Sequence, residues 1–476
     1  MMADKITAKK SEDFSEWYTQ LIQKADLIEY TDVSGCYVLR PRAYSMWEKV
    51  QEFFNVELKK RNVKNAYFPL FIPEHLLNKE KEHVEGFTPE VAWVTHAGNS
   101  KLAERLAIRP TSETIIYDAY SKWIRSHNDL PLLINQWCNV VRWEFKNPIP
   151  FLRSREFLWQ EGHTVHATSS VAEKEVYDIL KLYKRIFEEL FAVPMFEGLK
   201  SEKEKFAGAV FTTSVETFLP SGKAIQGATS HHLGQNFSKA FNISFLDKEG
   251  KSQFGWQNSW GITTRSIGIM IMMHSDDKGL VLPPKVASTQ VVVVPILFED
   301  SKKKVLAKCS EIVKSLEGFT VDVDDREGYS PGWKFNEWEM KGIPIRVEIG
   351  PKDLAKNQVV LVRRDTGDKT AVKVSTLKKA IPEMLDSIQD NLFKKAKKVL
   401  KSSLVEVSNF KEFSAAIKDK KIVLANWCGE PKCEEMIKEK TGAKSLNMPL
   451  KQPKVSGKCP FCGSSAKVVA RFGKSY

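Results

Sequence analysis

A change in the order of secondary-structure signals near residue 280 constrains the fold of this chain most strongly. Before it, residues 131–166 and 211–274 predict short strands joined by turns with few crossover helices, which is typical of an antiparallel sheet. After the turn-rich segment 276–289, apolar strands alternate with amphipathic helices, as in a compact α/β domain of about 110 residues. A chain of 476 residues is also too long for a single core. We therefore predict a multidomain α+β and α/β protein with domains at residues 1–285, 286–398 and 399–476.

Basic residues are concentrated in the C-terminal part of the chain. Residues 289–476 hold 36 Lys and Arg against 24 Asp and Glu, whereas residues 1–288 hold 36 against 35. This asymmetry indicates a polyanionic partner that is engaged mainly by the C-terminal part. A lysine-rich, solvated surface would give the same composition, so charge alone leaves both interpretations open.

No segment of the sequence predicts an association with a membrane. The first residues, MMADKITAKKSEDF, are polar and lack the apolar stretch of a secretory signal. The longest dense apolar run, IGIMIMM at 267–273, is too short to span a bilayer. We therefore expect a cytoplasmic protein.

Four cysteines near the C-terminus have the spacing of a metal site. Cys428 and Cys433 are separated by four residues, Cys459 and Cys462 by two, and the two pairs by 25. Two such pairs can supply four thiolates to a tetrahedral zinc ion and leave no open coordination position, which predicts structural zinc. In a reducing cytosol, disulfides are the less favoured use of these thiols. A redox pair, or a site that has lost its metal, remains an alternative.

The stretch VRWEFKNPIPFLRSREFLWQEGHT at 141–164 carries more charge than a strand in a core needs. Arg142 and Glu144 share one face of an extended segment. After the turn at Pro148–Pro150 the alternation continues through Phe151, Arg153, Arg155 and Phe157. The pattern predicts a surface for a small ligand with several charges.

This stretch resembles motif 2 of the class II aminoacyl-tRNA synthetases, and other motifs accompany it in the family's order. RPTSET at 109–114 is similar to the T-x-E loop that holds the amino acid nitrogen. GITTRSIG at 261–268 is similar to motif 3, and AYFPLFIP at 66–73 to the motif 1 strand that builds a dimer interface. The resemblance covers nearly the whole chain. It implies an antiparallel-sheet catalytic core, an α/β anticodon-binding domain, a small C-terminal zinc-binding domain and a homodimer.

Three further segments narrow the resemblance to the prolyl-tRNA synthetases of the eukaryote- and archaeal-like form. They are FLWQEGHTVHAT, IQGATSHHLGQNFSKAF and QNSWGITTRSIG. About 120 residues separate Arg142 from Arg265, which leaves no room for the editing insertion common in the bacterial form. The resemblance implies that L-proline is activated with ATP and Mg²⁺ and is then transferred to tRNA(Pro).

The same resemblance implies a role for individual side chains. Arg142 and Arg265 would be catalytic, because the planar fork of arginine suits carboxylates and phosphates. The residues implied in proline binding are Thr111, Glu113, Arg142, Trp159, Glu161, His163, Phe211 and His231. Those implied in ATP binding are Arg142, Glu144, Arg153, Phe157, Gln226, Thr229, Thr263 and Arg265. Those implied in reading the anticodon are Glu339, Arg346 and Lys369.

Other interpretations stay open at this stage. A catalytically inactive, tRNA-binding paralogue would have lost a catalytic arginine or the T-x-E loop, and both are present here. A synthetase for another amino acid, such as threonine, would need a catalytic metal site made from Cys and His. A zinc-containing nucleic-acid-binding module would leave residues 1–288 without a role. His163 and His166 could form an H-x-x-H metal pair, although no further ligand has suitable spacing.

Overall fold

The computed structural model of the protein describes residues 5–83 and 90–476. In the first 285 residues the helices are α1 (Phe14–Lys24), α2 (Pro41–Lys59), α3 (Glu74–His83), α4 (Glu113–Trp123), α5 (Ser169–Arg185), α6 (Asn236–Phe241) and α7 (Arg265–His274). The strands there are β1 (Ile28–Tyr30), β2 (Tyr37–Leu39), β3 (Lys64–Asn65), β4 (Phe71–Pro73), β5 (Trp93–Ala97), β6 (Ser100–Ile108), β7 (Leu132–Val141), β8 (Glu156–His166), β9 (Phe196–Leu199), β10 (Phe211–Phe218), β11 (Ala224–Gly234), β12 (Ser244–Leu246), β13 (Ser252–Phe254) and β14 (Trp256–Thr263).

The rest of the chain forms two smaller sheets with their helices. The elements of the middle part are β15 (Val291–Pro295), α8 (Lys302–Ser315), β16 (Val321–Val323), α9 (Pro331–Met340), β17 (Ile345–Ile349), α10 (Pro351–Ala355), β18 (Gln358–Arg363), β19 (Lys369–Lys373) and α11 (Leu377–Ser403). Those of the last part are β20 (Leu404–Glu406), α12 (Phe410–Lys418), β21 (Ile422–Trp427), α13 (Pro431–Thr441), β22 (Lys444–Ser445), β23 (Met448–Pro449) and β24 (Val468–Gly473).

An eight-stranded sheet in the order β23-β9-β10-β11-β14-β8-β7-β3 forms the centre of the molecule. Every pair in it is antiparallel except β3 with β7, so the prediction of an antiparallel sheet is confirmed. Helices α2, α5 and α7 bury their apolar faces in one core with this sheet. The remaining face is thereby left to hold the side chains of a site.

The motif 1 stretch at 66–73 is only partly the strand that the sequence predicts. β3 joins the large sheet beside β7, while β4 pairs with β6 in a separate three-stranded sheet. Pro69, which has no N–H to donate, lies in the irregular segment that crosses between the two sheets. The side chains of Tyr67 and Phe71 are 70% and 45% exposed.

The middle part of the chain is an α/β domain, as predicted. Its sheet has the order β16-β15-β17-β18-β19, with β18 and β19 forming the expected hairpin. Helices α8 and α11 pack on one face of the sheet and α9 packs on the other. Helix α11 continues to Ser403 and so crosses the boundary that we proposed at residue 398.

The last part of the chain is a four-stranded sheet that docks on the central one. Its core contains Phe413, Trp427, Phe461 and Phe472, whose rings meet mostly edge to face. β23 leaves this domain and extends the central sheet by pairing with β9. A side chain at Gly198 of β9 would meet the carbonyl oxygen of Met448 at 2.3 Å, so this close approach requires glycine.

Among the described residues, no helix combines the length and apolar character that crossing a bilayer requires.

Candidate active site, anticodon pocket and cysteine cluster

A cavity of about 290 Å³ lies on the face of the central sheet where β11, β14 and β8 run side by side. Every second residue of β8 points into it, because successive side chains of a strand alternate between the two faces. The predicted site residues that line the cavity are Thr111, Glu113, Arg142, Arg153, Phe157, Trp159, Glu161, His163, Gln226, Thr229, His231, Thr263 and Arg265. Only Glu144 and Phe211 of the predicted proline and ATP residues do not line it.

One end of the cavity holds a buried network around Glu161. Its carboxylate accepts hydrogen bonds from Gln136 Nε2 at 2.9 Å and from the Ser112 hydroxyl, and it lies 3.0 Å from His163 Nε2. The Tyr117 hydroxyl is 3.0 Å from the other ring nitrogen of His163. All of these side chains are at most 2% exposed, so the network is rigid and fully satisfied.

The charges of this network favour an ion pair between Glu161 and His163. Burial raises the pKa of Glu161, but the hydrogen bond and charge of His163, with the other donors, hold it below the ordinary value. Burial lowers the pKa of His163, and the carboxylates of Glu161 and Glu113 outweigh that effect and raise it. The pair is therefore lost as pH falls through the lowered pKa of Glu161, or as pH rises through the raised pKa of His163.

Glu113 lies beside this network as the first residue of α4. Its carboxylate accepts a hydrogen bond from the Thr111 hydroxyl, and Glu113 is only 3% exposed. A buried carboxylate next to an open cavity is suited to bind a cationic nitrogen.

His231 and Phe206 form an apolar wall of the same cavity. Their ring centroids lie 4.7 Å apart. The Thr212 hydroxyl accepts the Phe206 N–H at 2.9 Å and lies within hydrogen-bond distance, 2.9 Å, of His231 Nδ1. Burial, with a smaller effect from the charge of His163, lowers the pKa of His231 to about 3. His231 is therefore neutral at physiological pH.

The prediction that Phe211 shapes the pocket is wrong. Thr212 is paired with His231 and faces the cavity, so its neighbour Phe211 faces the opposite side of the sheet. There its ring stacks on Tyr177 of α5 at 5.9 Å and contacts His232. Phe206, five residues earlier in a loop, occupies the position that we assigned to Phe211.

Three arginines converge on the same cavity. Arg142 follows β7, Arg153 lies in the turn before β8, and Arg265 is the first residue of α7. Arg142 Nε donates to the carbonyl oxygen of Pro110 at 2.9 Å and Arg265 Nε to that of Leu152 at 3.1 Å. In the part of the chain that the structure describes, none of the three forms an ion pair with a carboxylate.

This uncompensated positive charge defines an anion site. Burial, and then repulsion from Arg142 and Arg153, lowers the pKa of Arg265 to about 10, so it stays charged at neutral pH. A bound anion would relieve this repulsion. Because Arg265 begins α7, the amino end of the helix dipole adds to the same positive field.

Phe157 lies beside the arginines, whereas Glu144 does not. The Phe157 ring lies 5.7 Å from the guanidinium carbon of Arg142, with Trp159 at 5.5 Å from the same carbon. Glu144 is exposed in the turn after β7 and does not line the cavity, whereas its neighbour Phe145 does. The role of Glu144 toward adenine stays a prediction.

The alternative of an H-x-x-H metal pair is not supported by the geometry. His163 points into the cavity toward Glu161, whereas His166 Nε2 lies 3.1 Å from Glu175 of α5. The group Glu113, Glu161 and His163 has ligand atoms within 4.8 Å of one another. The ion pair between Glu161 and His163 already accounts for that proximity.

A second cavity, of about 180 Å³, lies in the α/β domain and brings Glu339, Arg346 and Lys369 together. Arg346 donates to Glu348 Oε1 at 2.8 and 3.0 Å and lies over the Phe335 ring at 4.4 Å. Lys369 Nζ is 3.1 Å from Glu348 Oε2. A concave surface with fixed donors, acceptors and an aromatic ring can recognise unstacked bases.

An ion pair links this second cavity to the domain that contains the first one. Arg364 donates to both carboxylate oxygens of Asp276, at 2.6 and 2.9 Å, just beyond the end of α7. Its Nε donates to the carbonyl oxygen of Glu339 at 2.9 Å, and Lys278 Nζ lies 3.3 Å from the Glu339 carboxylate. The anticodon candidate Glu339 is thus held from both sides.

The four C-terminal cysteines are brought together as predicted. Cys433 Sγ is 3.8 Å from Cys459 Sγ, and Cys428 Sγ is 3.6 Å from Cys462 Sγ. All four sulfur atoms lie within 4.8 Å of one another. Zinc–sulfur bonds of about 2.3 Å in a tetrahedron place the sulfurs about 3.8 Å apart. The residues present therefore fit a zinc ion held by four thiolates.

Sequence reasoning missed several residues that line the two cavities. They are Phe145, Phe206 and Thr212 in the first, and Lys278, Trp338 and Arg364 in the second. The period-two alternation of FTTS at 211–214 could have shown that Thr212 and Phe211 face opposite sides. No local signal marks the others, since elements distant in sequence bring them to the cavities.

Three family profiles match successive parts of the chain. The profile described as "tRNA synthetase class II core domain (G, H, P, S and T)" matches residues 93–274. "Anticodon binding domain" matches 290–384, and "Prolyl-tRNA synthetase, C-terminal" matches 410–476. Together with the antiparallel sheet and its arginine-lined cavity, they define a class II aminoacyl-tRNA synthetase.

Similarity over nearly the whole chain shows to which family within this class the protein belongs. The chain is 52% identical to "Proline--tRNA ligase, cytoplasmic" of Arabidopsis thaliana, over 99% of this chain and 91% of the relative. It is 50% identical to "Proline--tRNA ligase 2" of Bacillus thuringiensis (strain Al Hakam), over 98% of each chain. It is 52% identical to the "Bifunctional glutamate/proline--tRNA ligase" of Cricetulus griseus, over 99% of this chain and 33% of that relative. The chain belongs to the proline--tRNA ligase family.

Proposed function

We propose that this chain activates L-proline with ATP, forming prolyl-adenylate and pyrophosphate, and then transfers the prolyl group to the 3′ end of tRNA(Pro). The observation that carries the proposal is the combination of charges that line the main cavity. Three arginines, without carboxylate partners among the described residues, line it together with the buried carboxylate of Glu113. Such a cavity is suited to an amino acid and a polyphosphate bound side by side.

The activation step requires two anions to be held together. The proline carboxylate oxygen attacks the α-phosphorus of ATP, and the bond from that phosphorus to the β-phosphate oxygen breaks. Arg142 would bridge the carboxylate and the α-phosphate, which would align the reactants and neutralise their charges. Arg153 and Arg265 would hold the terminal phosphates. No side chain needs to act as a covalent nucleophile, because the substrate carboxylate attacks.

The other ATP contacts follow from the lining of the cavity. Phe157 would stack on the adenine ring, and Glu144 would accept from its amino group after a movement of the turn that carries it. Gln226, Thr229 and Thr263 also line the cavity and would supply polar contacts. Mg²⁺ bound with ATP would share the charge of the phosphates.

The proline pocket combines a charge receptor with apolar walls. Thr111 and Glu113 would meet the cationic ring nitrogen, while Trp159, His231 and Phe206 enclose the pyrrolidine ring. The pair of Glu161 and His163 lies behind them and fixes the shape of the floor. A few polar groups in a largely apolar cavity give orientation and specificity.

Transfer needs the tRNA to reach both cavities. A hydroxyl of the terminal ribose attacks the prolyl carbonyl and AMP leaves. Glu339, Arg346 and Lys369 are proposed to contact the anticodon, and the basic C-terminal part would bind the tRNA backbone.

We further propose that the protein is a cytoplasmic homodimer. The exposed aromatic side chains of Tyr67 and Phe71 near motif 1 support a covered surface in the assembly. Sedimentation analysis should then give a mass twice the 54.2 kDa of the chain.

Amino-acid-dependent ATP–pyrophosphate exchange, measured on the purified protein with all twenty amino acids, tests the proposed function. Strong exchange with proline is expected. Absence of exchange with every amino acid, from a folded and zinc-loaded sample, would instead favour a tRNA-binding paralogue without catalysis.

Replacing Glu113 by glutamine is expected to raise the KM for proline roughly 30-fold or more, because the buried partner of a cationic nitrogen loses its charge. The KM for ATP should change little, since the arginines are untouched. Exchange kinetics with each substrate varied in turn measure both values. Equal weakening of proline and ATP would remove Glu113 from the proline pocket.

Replacing Arg346 by alanine is expected to lower kcat/KM for tRNA in aminoacylation about tenfold, as the loss of one base-contacting side chain does. Proline-dependent exchange should be unchanged, since it needs no tRNA. Lys303→Ala on α8, which packs on the opposite face of the same sheet, is the control for lost positive charge. Equal losses in the two variants would point to general charge rather than to the cavity.

A further inference from the structure

A loop that lines the proline pocket rests on the C-terminal domain. Residues 200–206, KSEKEKF, connect β9 to the segment before β10, and Glu204 and Phe206 reach the main cavity. The opposite side of this loop faces α13 and β22. We define residues 434–446, which contain the end of α13 and β22, as the docking edge.

Two ion pairs join the loop to the docking edge. Lys203 Nζ lies 2.9 Å from Glu435 Oε1, and Lys444 Nζ lies 3.0 Å from Glu204 Oε2. The charges are crossed, since each side supplies one cation and one carboxylate. A crossed arrangement fixes the register of the loop against the edge, because a shift by one residue would place like charges together.

Buried contacts at the base of the loop strengthen this attachment. Lys200 Nζ donates to the carbonyl oxygen of Leu446 at 2.5 Å and lies 3.0 Å from Glu216. Ser201 Oγ is 3.1 Å from Ser445 Oγ, which donates to Glu434 at 2.5 Å. All of these side chains are at most 8% exposed, so water does not compete for their hydrogen bonds.

Because residues at the tip of the loop line the cavity, the position of the loop determines the position of one wall of the pocket. Glu204, held by Lys444, lines the cavity, and two residues later Phe206 packs on His231. The Phe206 N–H donates to Thr212, which in turn orients the imidazole of His231. A displacement of the loop would therefore move one wall of the pocket and leave the three arginines in place.

We propose that the docking edge positions the loop 200–206 and thereby sets how tightly the pocket binds proline. This inference rests on the function proposed above. Glu434, Glu435 and Lys444 are positioning residues, since none of them lines the main cavity. The C-terminal domain thus contributes to amino acid binding although its cysteine cluster lies outside the pocket.

Single substitutions in the two crossed ion pairs test the proposal, because they should change the KM for proline and not the KM for ATP. Glu435→Ala and Lys444→Ala should each raise the KM for proline about two- to fivefold, the range for half-exposed ion pairs. The KM for ATP and kcat should stay within twofold in Glu435→Ala, which is the cleaner variant because Lys444 shares a smaller cavity with Arg153 and Arg265. Lys444→Arg, which keeps the charge, should retain most of the affinity for proline.

Charge reversal and a matched control separate positioning from stability. The double variant Lys203→Glu with Glu435→Lys should restore the proline KM that Lys203→Glu alone raises. Lys467→Ala breaks the pair with Glu430, which belongs to the same domain and does not touch the loop, and should change neither KM. Exchange of the amide hydrogens of residues 200–206, followed by mass spectrometry, should be faster in Glu435→Ala than in Lys467→Ala.

The outcomes distinguish this inference from the proposed function. Proline-dependent exchange by the unmodified protein, together with an unchanged proline KM in Glu435→Ala and Lys444→Ala, overturns the positioning role alone. A proline KM raised equally by Lys467→Ala also overturns it, because general destabilisation of the domain then explains the effect. Absence of proline-dependent exchange in the unmodified protein overturns the proposed function itself.

Discussion

Arg142→Ala should abolish proline-dependent ATP–pyrophosphate exchange, with a loss of about a thousandfold or more in kcat/KM. In the proposed function the guanidinium contacts both reacting anions, so its removal would take away alignment and charge neutralisation together. Its Nε donates a single hydrogen bond to the carbonyl oxygen of Pro110, so we expect the variant to fold. Exchange kinetics, with thermal unfolding as the measure of folding, test the prediction.

Arg142→Lys is the matched variant for this experiment. Lysine keeps the charge but cannot form two parallel hydrogen bonds, so it should recover only a small part of the lost rate. Both variants should still bind tRNA, because the second cavity is in another domain. Near-normal exchange by a folded alanine variant would exclude the bridging role of Arg142.

Cys428→Ser should remove the bound zinc and unfold the C-terminal domain. Structural zinc bound by small domains contributes about 10–16 kcal/mol of apparent binding free energy near pH 7, which is more than most domains have in total stability. Loss of the fourth thiolate should therefore expose residues 410–476 to proteases. Metal content by mass spectrometry and limited proteolysis measure the two effects.

Cys36→Ser is the control, because Cys36 is half-buried and distant in sequence from the cysteine cluster. It should retain one zinc per chain and the full resistance to proteases. A Cys428→Ser variant that is as stable as the unmodified protein and holds no zinc would contradict a structural role for the metal. Since β23 completes the central sheet, unfolding of this domain should also lower the melting temperature of the catalytic part.

Sequence reasoning reached the parts of the fold and site that depend on local pattern. The alternation from Phe157 to His163 along β8 follows from strand geometry, and the structure places these side chains on one face, whereas Glu144 lies in a turn and does not share the cavity with Arg142. The spacing of the four cysteines in the sequence was enough to predict that they form one cluster. The assignment of the three arginines to the site depended on the family resemblance, because an R-x-E pattern alone is common on protein surfaces.

The failures arose where tertiary contacts decide. Phe211 was an apolar residue near the right motif, yet the strand register turns it to the other face. The attachment of the loop at Glu204 to a distant domain has no local sequence signal, because its partners lie about 240 residues away.

The pairing of β23 with β9 has a consequence for the biosynthesis of the protein. Gly198 and its partner Pro449 are about 250 residues apart, and ribosomes add roughly 5–20 residues per second. The edge of β9 therefore stays unpaired for roughly 10–50 seconds before β23 emerges from the ribosome. An unpaired edge strand is a template for wrong pairing with another nascent chain. During this interval the growing polypeptide should depend on chaperones, and translation speed between the two strands should influence the yield of soluble enzyme.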